Sequence, residues 1–136
     1  MAVACNQTSV FNMVFSASLS GLRKPGENIN HHSLSHEEQI DAEFGYQPQT
    51  SWFNARSMAA LASFIEIVSS IREGDGTLLD NMLVLAGSET SFAKTHSVDD
   101  IPFMTLGKAG GRIKTGLHIV GNGDPITRVG LTAMRV

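Results

Sequence analysis

The alternation of apolar and polar positions predicts a short series of strands and helices joined by polar connections. Residues 10–16 are rich in β-branched and aromatic types, which is typical of a buried strand. Residues 50–72 carry apolar side chains at helical spacing and predict an amphipathic helix that is capped by Thr50 or Ser51. The continuous apolar run at 82–86 predicts a strand covered on both faces, and residues 101–106 predict the next strand.

The remaining pattern completes the predicted fold. Residues 113–120 contain two short apolar stretches that predict a small hairpin, and Asp124 with Pro125 is a typical start for a last helix. The order strand, helix, strand, strand, helix predicts an α/β fold with a mostly parallel sheet and flanking helices. In such sheets ligands bind beyond the carboxyl ends of the strands.

Composition narrows the class of protein. The chain has 136 residues, of which 42% are hydrophobic and 17% charged, and a net charge of -3. These values predict one globular domain over residues 1–136. No basic tract is present, so we expect no nucleic-acid partner, and no apolar run is long enough to predict a membrane span. Cys5 is the sole cysteine, which excludes an internal disulfide.

The block from Asn30 to Glu38 is the main candidate for chemistry, because it holds three of the five histidines. His32 and His36 are four residues apart, and on a helix this spacing places both side chains on one face. Two neutral imidazoles on one face are a common way to hold a transition metal. The block therefore predicts part of a metal site.

The same block has a second, structural interpretation. A patch rich in Ser, His and Glu is also typical of a polar helix start. Ser33 or Ser35 would then cap the helix, while Glu37 and Glu38 would favour the positive end of its dipole. Spacing alone leaves both interpretations open.

Glu89 and His96 extend the metal hypothesis. Both belong to the polar connection that follows the strand at 82–86, and only seven residues separate them. If this connection and the His block meet at one edge of the predicted sheet, His36, Glu89 and His96 converge, with His32 as a further ligand. Two imidazoles and a carboxylate suit Zn²⁺ or a similar divalent ion with an open coordination position.

The chain resembles the bacterial HxxSHH family, a domain of unknown function, along most of its length. The resemblance is carried by a signature-like segment and by the following stretches in the same order, namely His32-Ser33-Leu34-Ser35-His36-Glu37, Glu73 to Asn81, Met82 to Leu85, Gly87-Ser88, His96-Ser97, Ile101-Pro102 and Lys114-Thr115-Gly116. Glu37 stands where that signature has its final histidine.

Several expectations follow from this resemblance rather than from the residues themselves. The family looks distantly similar to the alkaline-phosphatase and sulfatase superfamily, which implies an alkaline-phosphatase-like fold and a metal that polarises a phosphate or sulfate ester and activates water. It also implies that residues 1–136 are the C-terminal portion of a longer, periplasmic or secreted protein. The missing N-terminal region would then be a partner and would supply the nucleophile, and the small-molecule substrate is unidentified. The alternative is a non-catalytic exported protein that keeps the fold for binding or structure.

Overall fold

The computed structural model describes residues 2–136, which divide into two compact units. The first unit comprises residues 2–63 together with Phe92–Ser97, and the second comprises Phe64–Ser91 and Val98–Val136. Compact units defined by internal packing are not necessarily separate folding domains. The expectation of one domain over residues 1–136 therefore stays a prediction.

The first unit is built on two helices. Helix α1 spans His31–Glu37, and helix α2 spans Pro48–Ser70 and continues into the second unit. Proline is favoured at the first helical position because its fixed φ suits the helix and its missing N–H is not needed there. The buried apolar residues of this unit are Leu34, Phe53 and Leu61.

The prediction of a long amphipathic helix is confirmed by α2, with shifted ends. The backbone N–H of Ser51 donates to the carbonyl of Gln47 at 2.9 Å, so the helix starts two residues before Thr50. The predicted cap, Thr50 or Ser51, is therefore wrong, because the first residue of α2 is Pro48.

The second unit opens with a tight hairpin. Strand β1, Arg72–Glu73, pairs in antiparallel register with β2, Gly76–Thr77. Gly74 lies in the turn with a φ of 58°, a conformation that glycine adopts without steric cost. Thr77 then caps the short helix α3, Leu78–Asn81, through a reciprocal pair of hydrogen bonds with Asp80.

A second strand pair and a last helix complete this unit. Strand β3, Val84–Gly87, pairs antiparallel with β4, Phe103–Leu106, so that Val84 lies opposite Leu106. Helix α4 spans Thr127–Ala133, which confirms the predicted C-terminal helix, but Ile126 and not Asp124 occupies its N-cap position, so the predicted start is wrong.

The predicted fold class is wrong. Residues 2–136 form four helices and two separate two-stranded antiparallel sheets, with no parallel pair, so this is not an alkaline-phosphatase-like α/β fold. Parallel neighbours need a crossover connection that is usually an α-helix. The connection between β3 and β4 contains only a 3-10 helix at Ala93–Thr95, and β4 instead returns antiparallel. Neither strand is covered on both faces. Half-buried and exposed side chains alternate along β3, and most side chains of β4 are exposed.

Two predicted strand regions are wrong as well. Residues 10–16 form no strand, and Val10 and Val14 are 80% and 71% exposed. Residues 113–120 form no hairpin, and Ile119 is 79% exposed. Strand propensity chiefly reflects packing on a sheet, and among the described residues neither segment has a partner strand to pack beside.

Within residues 2–136, none of the helices combines the length and the apolar character that crossing a membrane requires.

Candidate functional site

Helix α1 presents two histidines on one face, as the spacing predicts. Its start is capped by Asn30, whose side-chain oxygen accepts a hydrogen bond from Ser33 N at 2.8 Å. The hydroxyl of Ser35 donates to the carbonyl of His32 at 2.8 Å, and Ser35 is buried. The structural interpretation that made Ser33 or Ser35 the cap is therefore wrong, because both lie inside the helix.

His96 reaches α1 from a distant part of the chain. The segment Phe92–Ser97 belongs to the first unit, and its 3-10 helix packs against α1. The ammonium of Lys94 donates to the backbone carbonyl of Glu38 at 2.9 Å, which fixes the segment to the end of α1. His96 follows with a φ of 53° and a ψ of 37°, the left-handed conformation that costs a residue other than glycine about 1–3 kcal/mol.

His32, His36 and His96 form a continuous row of imidazoles, called here the histidine row. The ring centroids of His32 and His36 lie 4.8 Å apart, and those of His36 and His96 lie 4.9 Å apart, each pair edge to face. The Nε2 atoms of His36 and His96 are separated by 3.3 Å. The predicted convergence of these two side chains is thus observed, although on a helix face and not at a sheet edge.

The contact between the two Nε2 atoms has two chemical solutions. If one ring is protonated at Nε2 and the other is not, the pair shares a hydrogen bond. If both Nε2 atoms are unprotonated, both lone pairs are available to one cation. Two ligands of a tetrahedral zinc ion, each about 2.0–2.1 Å from the metal, lie about 3.3–3.4 Å from each other. The observed separation of 3.3 Å between the two Nε2 atoms matches this ligand-to-ligand distance.

Glu38, which directly follows α1, caps the start of α2 with its side chain. The sequence does not indicate this role. Its carboxylate accepts hydrogen bonds from Gln49 N, Thr50 N and Thr50 Oγ1, each at 2.8 Å, at the start of α2. Burial acts to raise the pKa of Glu38, but these hydrogen bonds and the charge of Lys24 outweigh it, so the pKa lies below its ordinary value. No local sequence motif signals this role, because Glu38 lies ten residues before Pro48, the first residue of α2.

Gln47 joins the two helices at the same point. Its side-chain amide donates to the carbonyl of Ser35 at 2.9 Å and to that of Glu38 at 2.8 Å. Gln47 is buried, and these hydrogen bonds supply a partner for the carbonyl of Ser35 and a second one, beside Lys94, for that of Glu38. The end of α1 that carries His36 is therefore held by side chains from two other segments.

His31, at the start of α1, does not join the row. Its ring stacks on Phe53 with centroids 4.4 Å apart and planes 10° apart, which packs α1 on α2. Its Nδ1 is buried without a hydrogen-bond partner among residues 2–136. Burial lowers the pKa of His31, and the neighbouring His32 lowers it further, so the neutral ring is favoured.

Glu89 lies in the second unit, after β3, with an exposed side chain. Its assignment as a metal ligand stays a prediction. Within residues 2–136, no group of three or more His, Cys, Asp or Glu side chains is placed so that it could hold a metal ion. The histidine pair is the part of the predicted ligand set that the structure brings together.

No protein-family model, curated protein or solved structure matches this chain. The resemblance to the HxxSHH family accordingly stays a prediction.

Proposed function

We propose that the first unit binds a divalent transition-metal ion through Nε2 of His36 and Nε2 of His96. The observation that carries the proposal is the 3.3 Å separation of these atoms, which is the ligand-to-ligand distance around tetrahedral zinc. Imidazole suits Zn²⁺, Cu²⁺, Ni²⁺ and Fe²⁺, so the site selects for this group of ions rather than for Ca²⁺ or Mg²⁺.

The surroundings favour a cation at this point. His36 lies in the last turn of α1, where the backbone carbonyls carry partial negative charge. The backbone on both sides is held by hydrogen bonds from Gln47 and Lys94, so little ordering remains to be done when an ion binds. His96 is exposed, which leaves the pair accessible from solvent.

Metal binding is compatible with both roles that the resemblance implies. In a longer hydrolase the ion would polarise a phosphate or sulfate ester, and in a non-catalytic exported protein it would serve binding or structure. We propose metal binding as the function of this unit, and ester hydrolysis stays a prediction that the resemblance alone supports.

Calorimetric titration with Zn²⁺ at neutral pH tests the proposal. His36→Gln removes one imidazole, and His96→Asn removes the other while keeping a residue that tolerates the left-handed conformation. His118→Ala is the matched control, because His118 is an exposed histidine of the second unit.

We expect one bound Zn²⁺ in the wild type and in His118→Ala. The two site variants should bind more weakly by at least the roughly 10–100-fold that accompanies loss of a residue supporting a ligand. Equal affinity in all four proteins would overturn the proposal. Circular dichroism of each variant separates loss of the ligand from loss of the fold.

A further inference from the structure

We infer that His32 is the third ligand of the same ion, which makes the site a three-imidazole centre with one exchangeable position. This inference rests on the proposed binding by His36 and His96. It assigns a role to the outer member of the histidine row, whose ring lies edge to face against His36 with centroids 4.8 Å apart.

The helix supplies the geometry. Residues four apart on a helix have their Cβ atoms about 5–6 Å from each other on one face. Two imidazoles at that spacing reach one ion with bonds of about 2.0–2.1 Å, as in helices that carry the H-E-x-x-H pattern. His32 and His36 have this spacing, and α1 is helical through both of them.

The backbone of His32 is held at two points. Its backbone N–H donates to Ser20 O at 3.2 Å, and its carbonyl accepts from the hydroxyl of Ser35. Within residues 2–136 its ring nitrogens make no hydrogen bond, and its ring contact is with His36. Rotation about the side-chain torsions therefore breaks no hydrogen bond and moves the ring between staggered wells.

A third imidazole changes what the bound ion can do. An ion held by two imidazoles fills its other coordination positions with water. His32 would replace one of these waters with a ring nitrogen from the same helix, which costs less entropy than binding a separate ligand. Three neutral imidazoles leave a tetrahedral ion one open position, where a water or a small anion exchanges. The expected exchangeable ligand is monodentate.

Cobalt(II) spectroscopy tests this inference separately from the proposed function. Tetrahedral Co²⁺ absorbs visible light much more strongly than octahedral Co²⁺, so the spectrum reports the coordination number. The variants are His32→Gln and His32→Ala, and the control is Glu37→Gln, which changes an exposed carboxylate of the same helix.

We expect intense tetrahedral bands in the wild type and in Glu37→Gln, several-fold weaker bands in both His32 variants, and Zn²⁺ affinity at least tenfold lower in those variants, roughly the smallest effect seen when a residue supporting a ligand is lost. Wild-type spectra and affinities in both His32 variants would overturn the inference. The proposed function would still stand in that case if His36→Gln and His96→Asn lose Zn²⁺. If they also keep it, both proposals fail.

Discussion

Removal of the Glu38 carboxylate is expected to destabilise the first unit, because one side chain caps α2 and adjoins the end of α1. Glu38→Ala leaves two backbone N–H groups and one hydroxyl of α2 without their acceptor. Gln49 is exposed and regains water, whereas Thr50 is only 8% exposed and does not regain it fully. An unpaired buried N–H costs about 1–3 kcal/mol, and loss of a helix cap costs about 0.5–2 kcal/mol.

These two ranges describe overlapping effects, so we expect Glu38→Ala to lower the free energy of unfolding by about 2 kcal/mol. With a typical urea dependence, this shifts the unfolding midpoint by roughly 1 M. Glu38→Gln keeps one acceptor oxygen without the charge, and about half of the loss is expected. Trp52 lies near the start of α2, so its fluorescence during urea titration reports on this region.

Glu37→Ala is the matched control, because Glu37 is the exposed neighbour and its side chain is not an acceptor for α2. A surface change of this kind should stay within about 0.5 kcal/mol of the wild type. The dependence on pH adds a second check. The folded pKa of Glu38 is lowered, so its stabilisation is complete above the ordinary value of 4.5 and is lost as the pH falls through the folded pKa.

The stability difference between the wild type and Glu38→Gln should therefore shrink on acidification below pH 4.5. Equal unfolding midpoints for Glu38→Ala and Glu37→Ala at neutral pH would refute the reasoning, because they would show that the hydrogen bonds to α2 contribute nothing measurable.

Two further substitutions test packing. Gly107→Ala should lower the free energy of unfolding by roughly 2 kcal/mol in thermal or urea denaturation, because Gly107 has a φ of 89° and an added Cβ would clash with the backbone carbonyl of Met82. Gly110→Ala also has positive φ but open space around the Cβ, so a loss as large as that of Gly107→Ala would contradict the clash. His31→Phe keeps the stack on Phe53 and removes the unpaired buried Nδ1. We expect the free energy of unfolding, measured by urea titration, to rise by about 1 kcal/mol. A decrease would show that Nδ1 has a hydrogen-bond partner in the wild type.

Local signals in the sequence predicted single elements better than their arrangement. The apolar spacing of α2 was sufficient because a long helix depends on short-range pattern, whereas Asp124 and Pro125 indicate the last helix but place its first residue two positions before Thr127. The apolar run that became β3 is typical of a strand in a parallel sheet, but the partner strand decides the pairing, and β4 pairs with it antiparallel. The segment at 10–16 has the composition of a strand, but composition does not supply a neighbour.

The candidate site shows the same division. The shared face of His32 and His36 follows from helix geometry, and the sequence predicts it. The meeting of His36 with His96 was predicted on an incorrect sheet, and the contact is made instead by a left-handed turn that Lys94 anchors. The capping role of Glu38 depends on contacts between segments eleven and twelve residues apart, which no local motif encodes.

The contact between His36 and His96 joins positions 60 residues apart in the chain. Bringing two such positions together in an unfolded chain costs about 4 kcal/mol of loop-closure entropy by the relation used for covalent cross-links. The folded unit has already closed that loop, so an ion held by both imidazoles prefers the native chain by roughly a thousandfold. The single cysteine of this protein cannot form an internal disulfide, so a metal at this contact would take the place of a covalent cross-link. Unlike a disulfide, this cross-link would be removed by a chelator, which would weaken the attachment of the Phe92–Ser97 segment to the first unit.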